Sequence, residues 1–124
     1  MNKDIIIQSF KDIQDHICTG LTEVSGQEFH EDNWIYTDGD GGGKTRIFSG
    51  DTIEKGGVNF SALNGTLSEK MASKLKGGGY DFFATGVSLV IHPKNPFIPT
   101  VHMNIRYIKR GGKSWFGGGI DLTP

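Results

Sequence analysis

Two β-prone runs, Tyr80 to His92 and Thr100 to Lys109, are joined by the short link Pro93 to Pro99, which also holds Pro96. A parallel return needs a crossover of about a dozen residues or more, so a link this short makes the two runs an antiparallel pair. The prolines stop either strand from continuing through the link. An antiparallel sheet is therefore the frame into which the rest of the chain must fit.

Upstream, Ile6, Phe10, Ile13, Ile17, Leu21 and Val24 recur at spacings of three and four. That places them on one face of an amphipathic helix from about Asp4 to Val24, with Gly26 as its stop. Trp34 to Thr37, Thr45 to Phe48 and Val58 to Phe60 read as short strands between glycine and acidic turns. Thr66 and Glu69 have the spacing of a capping box, Leu67, Met71 and Leu75 form a stripe, and Gly77 follows, which predicts a second helix. The 19 glycines fall mostly in clusters between these segments and are expected at turns and close approaches. The class is α+β, an antiparallel sheet flanked by helices, in a single domain over residues 1–124.

Thirteen Lys and Arg against 14 Asp and Glu leave a formal charge of -1. No broad basic face is available for nucleic acid or an anionic membrane surface, so an anionic ligand must be held by a few placed cations. The apolar run at the start stops at Ile5 to Ile7 and is followed by Lys11, Asp12 and Asp15, so it does not span a membrane. The lone Cys18 excludes an internal disulfide and a multi-cysteine zinc site, and fits a reducing, cytoplasmic setting as a small apolar residue.

Chemistry concentrates between Pro99 and Tyr107. In a strand, His102, Asn104 and Arg106 share one face while Val101, Met103, Ile105 and Tyr107 share the other. A titratable imidazole, an amide and a permanent guanidinium are thus spread over roughly 13 Å of backbone, a span suited to a ligand larger than an amino acid. An ordinary half-exposed strand shows the same alternation, so the array by itself does not name a ligand. Ser88, Val90 and His92 repeat the alternation one strand earlier and can flank the array. Their register is not fixed by the sequence.

His92 and His102 are candidate metal ligands, but two imidazoles without further donors in a matching spacing do not complete a site. Asp121 follows the glycines Gly117 to Gly119, which leave the backbone open to a bulky group. From the residues alone its default reading is a cap or turn aspartate, which the following Leu122-Thr123-Pro124 supports. Gly39 to Thr45 ends like a phosphate-binding loop, yet Asp38 stands where the first glycine is needed and a strand follows instead of a helix.

Five motifs carry a resemblance. They are Phe29-His30-Glu31-Asp32, Gly57-Val58-Asn59-Phe60-Ser61, Gly86-Val87-Ser88-Leu89-Val90-Ile91-His92-Pro93, the run Asn95 to Tyr107, and Trp115 to Pro124. In this order they resemble the oxygen-dependent coproporphyrinogen III oxidases, from Phe29 onward. The resemblance implies a coproporphyrinogen oxidase-like antiparallel sheet covered by helices, and a cytoplasmic homodimer. It further implies oxidative decarboxylation of coproporphyrinogen III to protoporphyrinogen IX, with molecular oxygen as co-substrate and no organic cofactor; a divalent metal is left open.

Carried over by position, His102 corresponds to the family's proposed proton donor, and Ser88, Asn104, Ile105 and Arg106 to substrate contacts. Asp121 corresponds to the carboxylate facing the pyrrole nitrogens, and His92 and His102 match positions described as metal ligands. On this reading Arg106, helped by Arg46, neutralises the propionates while Asp121 accepts pyrrole N–H bonds. Family members are longer than this chain. The expectation is therefore an N-terminal portion lacking the second half of the sheet, part of the pocket and the usual dimer contacts. The competing expectation is a truncated, non-catalytic module for tetrapyrrole binding or assembly.

Overall fold

The computed structural model describes residues 2–37, 39–74 and 78–123. Helix α1 (Lys3–Ser25) is followed by strands β1 (His30–Ile35), β2 (Asp40–Phe48) and β3 (Ile53–Thr66), a one-turn helix α2 (Glu69–Ala72), and strands β4 (Asp81–Pro93), β5 (Thr100–Arg110) and β6 (Lys113–Thr123). The strands form one sheet in chain order, β1-β2-β3-β4-β5-β6, with every neighbouring pair antiparallel. The expected α+β class and the antiparallel β4–β5 pair are what the chain adopts.

The predicted helix is present and its ends are chemically marked. Asn2 caps it by accepting the Asp4 N–H at 2.8 Å, and Gly26, at φ 72°, closes it by donating to the Thr22 carbonyl at 2.8 Å. Its face lies on the sheet against Val58 and Phe60 of β3 and Phe83, Val87, Leu89 and Ile91 of β4, with Phe48, Ile53 and Tyr107 completing the core. Ile6, Phe10 and Cys18 are buried there, while Val24, at the end of the predicted stripe, is 84% exposed. Gln14 is buried as well. Its side-chain amide donates to the Lys44 and Val58 carbonyls at 2.9 and 3.0 Å, so the one amide in this face is satisfied by strand backbone.

Several boundaries differ from the sequence expectation, for local reasons. The glycine clusters at 41–43, 56–57 and 117–119 lie inside strands instead of between them, so β2 and β3 are much longer than predicted. At Gly43 the space a side chain would need is filled by the Trp34 indole, which lies across the gap. Thr66 does not cap α2: it pairs with Asp81 as the last residue of β3, and Ser68 Oγ accepts the Met71 N–H at 3.3 Å instead. Leu75 and Gly77, the rest of that predicted helix, lie outside the described residues. The largest omission is β6, which the sequence reading treated as a glycine-rich approach to Asp121.

Candidate functional site

Residues directly opposite each other in an antiparallel pair share a face. The register Ser88↔Asn104, Val90↔His102 and Gly86↔Arg106 on one side of β5, with His102↔Asp121, Asn104↔Gly119 and Arg106↔Gly117 on the other, therefore gathers these side chains on the face turned away from α1. A cavity of about 460 Å³ opens there, lined by Ser88, Val90, His102, Asn104, Arg106 and Asp121 among others. The residue pairs that the sequence left unplaced in register are thus adjacent in space.

His102 Nδ1 lies 2.9 Å from Asp121 Oδ1. An ionised carboxylate can only accept, so the imidazole donates from Nδ1 and leaves Nε2 free toward the cavity. Thr123 Oγ1 donates to the same carboxylate oxygen at 3.3 Å, and among the described residues nothing takes the other. Both side chains stay open to solvent, at 41% and 67% exposure, so the pair adds little to stability and is free to meet a ligand. Asp121 is therefore neither cap nor turn residue but a strand residue paired with the imidazole.

Arg106 has no carboxylate within ion-pair distance among the described residues and is exposed. Glycines flank it on both sides. A Cβ at Gly86 would collide with the Ile105 carbonyl and crowd Arg106, whereas a Cβ at Gly117 or Gly119 would meet nothing within 4 Å. The floor of the cavity beside Asn104 and Arg106 is consequently bare backbone, which a broad, flat group can approach.

Two of the residues assigned to the ligand have side chains on the other face. Ile105 has its side chain on the opposite face, packed with the core around Ile6 and Phe10, so any contact it makes with a ligand among the polar side chains is confined to its main chain. Arg46 is also on the α1 face. It donates to Asp15 at 2.7 Å and Glu31 at 2.9 Å and stacks on Phe29 at 4.8 Å, which leaves it no reach to the cavity. Burial opposes the charge on Arg46, but the hydrogen bonds to Glu31 and Asp15 outweigh it and hold the guanidinium protonated.

His92 shares the polar face, with Nδ1 3.3 Å from Thr100 Oγ1 and its ring centroid 6.4 Å from that of His102. Among the described residues no group of three or more His, Cys, Asp or Glu is placed to hold a metal ion, so these two imidazoles do not complete a donor set here. Gly39 and Asp40 to Thr45 lead along β2, with no helix N-terminus to face a phosphate.

Asn59, which the sequence pattern does not single out as a site residue, also belongs to this face. Asn59 on β3 is in register with Ser88, and beyond it Thr45 on β2. The Trp34 indole N–H donates to Thr45 Oγ1 at 3.1 Å, and Thr45 Oγ1 donates to Asn59 Oδ1 at 2.8 Å. The signal was present as the alternation Gly57, Asn59, Ser61 along β3.

Comparison with known proteins agrees with the resemblance. A family model described as coproporphyrinogen III oxidase matches residues 5–124. An oxygen-dependent coproporphyrinogen-III oxidase of Dictyostelium discoideum is 46% identical over 96% of this chain and 43% of its own length. Proteins of the same name from a Prochlorococcus marinus strain and a Synechococcus strain are 49% and 48% identical over 90% of this chain, and 34% and 32% of their own length. The chain thus spans about a third to two fifths of these relatives.

Proposed function

The chain belongs to the coproporphyrinogen III oxidase family, and from that premise we propose that it serves the oxygen-dependent oxidative decarboxylation of coproporphyrinogen III, its polar sheet face being the substrate surface. The observation that carries this reading is the unpaired Arg106 set between Gly86 and Gly117, two residues from Asn104 and in the same cavity as the His102–Asp121 pair. Four propionates make the substrate a polyanion with a broad flat core. A guanidinium suits the rim, bare glycine backbone suits the core, and an acceptor oxygen suits the pyrrole N–H groups.

In this reading Arg106 and Asn104 orient a propionate, and Ser88 contributes a hydroxyl to the same rim. The free oxygen of Asp121 accepts a pyrrole N–H and draws electron density into the ring, which makes it reactive toward oxygen. The propionate β-carbon then gives up a hydride, carbon dioxide leaves, and the vinyl group forms; O2 takes the hydride with a proton. His102, oriented by Asp121, presents Nε2 for proton transfer. Molecular oxygen is the co-substrate, and no organic cofactor enters these steps.

A cytoplasmic homodimer is part of the same proposal. In its support, Cys18 is a free buried thiol, as a reducing compartment permits. The second reading, a non-catalytic tetrapyrrole-binding or assembly module, rests on the openness of the cavity, which covers a ligand from one side.

The deciding experiment is to incubate the chain with coproporphyrinogen III under air and under argon, measuring carbon dioxide release and equilibrium binding. Oxygen-dependent release supports the oxidase, and binding without release supports the module. Absence of both removes the polar face as a tetrapyrrole surface.

A further inference from the structure

The polar face does not end at β5. Thr45, Asn59, Ser88, Asn104 and Gly119 lie in register across β2 to β6, one residue from each strand. With strands roughly 4.8 Å apart, Asn59 stands about 10 Å from Asn104 across the sheet. This is a second polar station on the rim, well separated from Arg106.

The direction of the hydrogen bonds determines what Asn59 offers. An indole N–H can only donate, so Trp34 makes Thr45 Oγ1 an acceptor, and the single hydroxyl proton of Thr45 goes to Asn59 Oδ1. The Asn59 carbonyl is thereby occupied and its NH2 group is the end left over. Among the described residues no acceptor takes that NH2. Trp34 is itself held flat across the strand pair because Gly43 carries no side chain in the space of its ring. The relay thus fixes, in a half-buried row, an amide donor with no partner among the described residues.

We propose that Asn59 is a further substrate-binding residue, its NH2 group donating to a carboxylate of the tetrapyrrole other than the one taken by Arg106, with Thr45 and Trp34 as positioning residues. The proposal rests on the polar face being the tetrapyrrole surface. A carboxylate gains most from donors already oriented before it arrives, because little freedom is then lost on binding. Asn59 is oriented in this way, and Arg106 is not.

The test is titration of the chain with coproporphyrin III and with its tetramethyl ester, followed by fluorescence, for the unaltered chain, Asn59→Asp and Thr45→Val. Asn59→Asp keeps the oxygen that accepts from Thr45 and turns the outer donor into a second anion. It should weaken coproporphyrin III at least about tenfold while changing the ester less than about threefold. Thr45→Val, which frees the amide to turn, should weaken coproporphyrin III by a smaller factor and leave the ester unchanged. Unaltered affinity for coproporphyrin III in both variants overturns the assignment, and so does an equal loss for acid and ester, which marks a merely structural role. Failure of the unaltered chain to bind either probe overturns the underlying reading of the face together with this one. If Asn59→Asp does not fold, as judged by circular dichroism, Thr45→Val carries the comparison alone.

Discussion

His102 on β5 and Asp121 on β6 are direct cross-strand partners whose side chains meet at 2.9 Å between Nδ1 and Oδ1. The contact sorts the ring nitrogens, since Nδ1 is committed to the carboxylate and Nε2 is turned to the cavity. It also sorts the carboxylate oxygens, because Thr123 joins His102 on Oδ1, and among the described residues Oδ2 has no partner. One pair therefore presents a basic nitrogen and an anionic oxygen to the same ligand, from two strands that a sheet holds rigidly.

Asp121→Asn keeps the shape of this pair and removes its charge, and because an amide can either accept from Nδ1 or donate to it, the imidazole loses the acceptor-only partner that selects its tautomer. We expect the 15N signals of His102 to shift from a single Nδ1–H form to a mixture. Oxygen-dependent decarboxylation should fall by about a hundredfold or more, the range that general acid–base catalysis commands. An Asp121→Asn chain with an unchanged imidazole spectrum and turnover within twofold would take Asp121 out of the proposed chemistry.

Arg106 makes no ion pair among the described residues, so its loss should leave the fold untouched and act on the ligand alone. Arg106→Ala is expected to shift the urea midpoint negligibly and to weaken coproporphyrin III by about ten- to a hundredfold, as a charge-assisted hydrogen bond of about 1.5–3 kcal/mol requires. Arg106→Lys keeps the charge and loses the bidentate fork, and should fall between the two. Binding that is equally tight in all three proteins, or a large drop in stability, would contradict the assignment of Arg106 as a ligand contact.

Much of this was legible in the sequence because two periodicities are cleanly written. The spacing of Ile6, Phe10, Ile13 and Ile17 predicts α1, and the two-residue alternation through His102, Asn104 and Arg106 predicts which side chains share a face. Strand β6 was not legible, since three successive glycines remove the side-chain pattern on which a strand is recognised. The Gly111-Gly112 turn, with Gly111 at φ 57°, was the available sign of a hairpin. Arg46 was misplaced because its cross-strand partner Glu31 is set by a register that local sequence does not encode. Asn59 escaped for a different reason: its role depends on hydrogen bonds from Trp34 and Thr45, three strands brought side by side.

The glycine floor supports a paired comparison. Gly119 has ordinary strand φ and a Cβ there meets nothing within 4 Å, so Gly119→Ala should be neutral or slightly stabilising, by up to about 0.5–1 kcal/mol. If a flat macrocycle lies against this backbone, the same methyl group should weaken coproporphyrin III by about tenfold. Gly118→Ala points to the α1 face, where its Cβ collides with the Asn104 carbonyl, and is expected to destabilise instead. Thermal melts and fluorescence titrations of the two variants should move in opposite orders, and identical behaviour would argue against close approach of a ligand at Gly119.

The opposite face supplies a pH dependence whose sign is set by Glu31. The hydrogen bond from Arg46, ahead of the other influences, holds the Glu31 carboxyl below its usual value near 4.5. The unfolded chain therefore binds this proton more readily than the folded one. The stabilisation is fully present above about pH 4.5 and is lost as pH falls through the lower folded value. Glu31 is a third exposed, so the effect is screened and should amount to a few tenths of a kcal/mol. Arg46 is better buried, stacks on Phe29 and also serves Asp15, so Arg46→Met should lower stability at pH 7 by about 1–3 kcal/mol. Urea midpoints at pH 7, 5 and 3 separate the two contributions. Glu31→Gln should start slightly lower at pH 7 and converge with the unaltered chain by pH 3, whereas Arg46→Met should stay below it throughout. Parallel curves for Glu31→Gln and the unaltered chain would show that the Arg46 pairing is not what ties this face to pH.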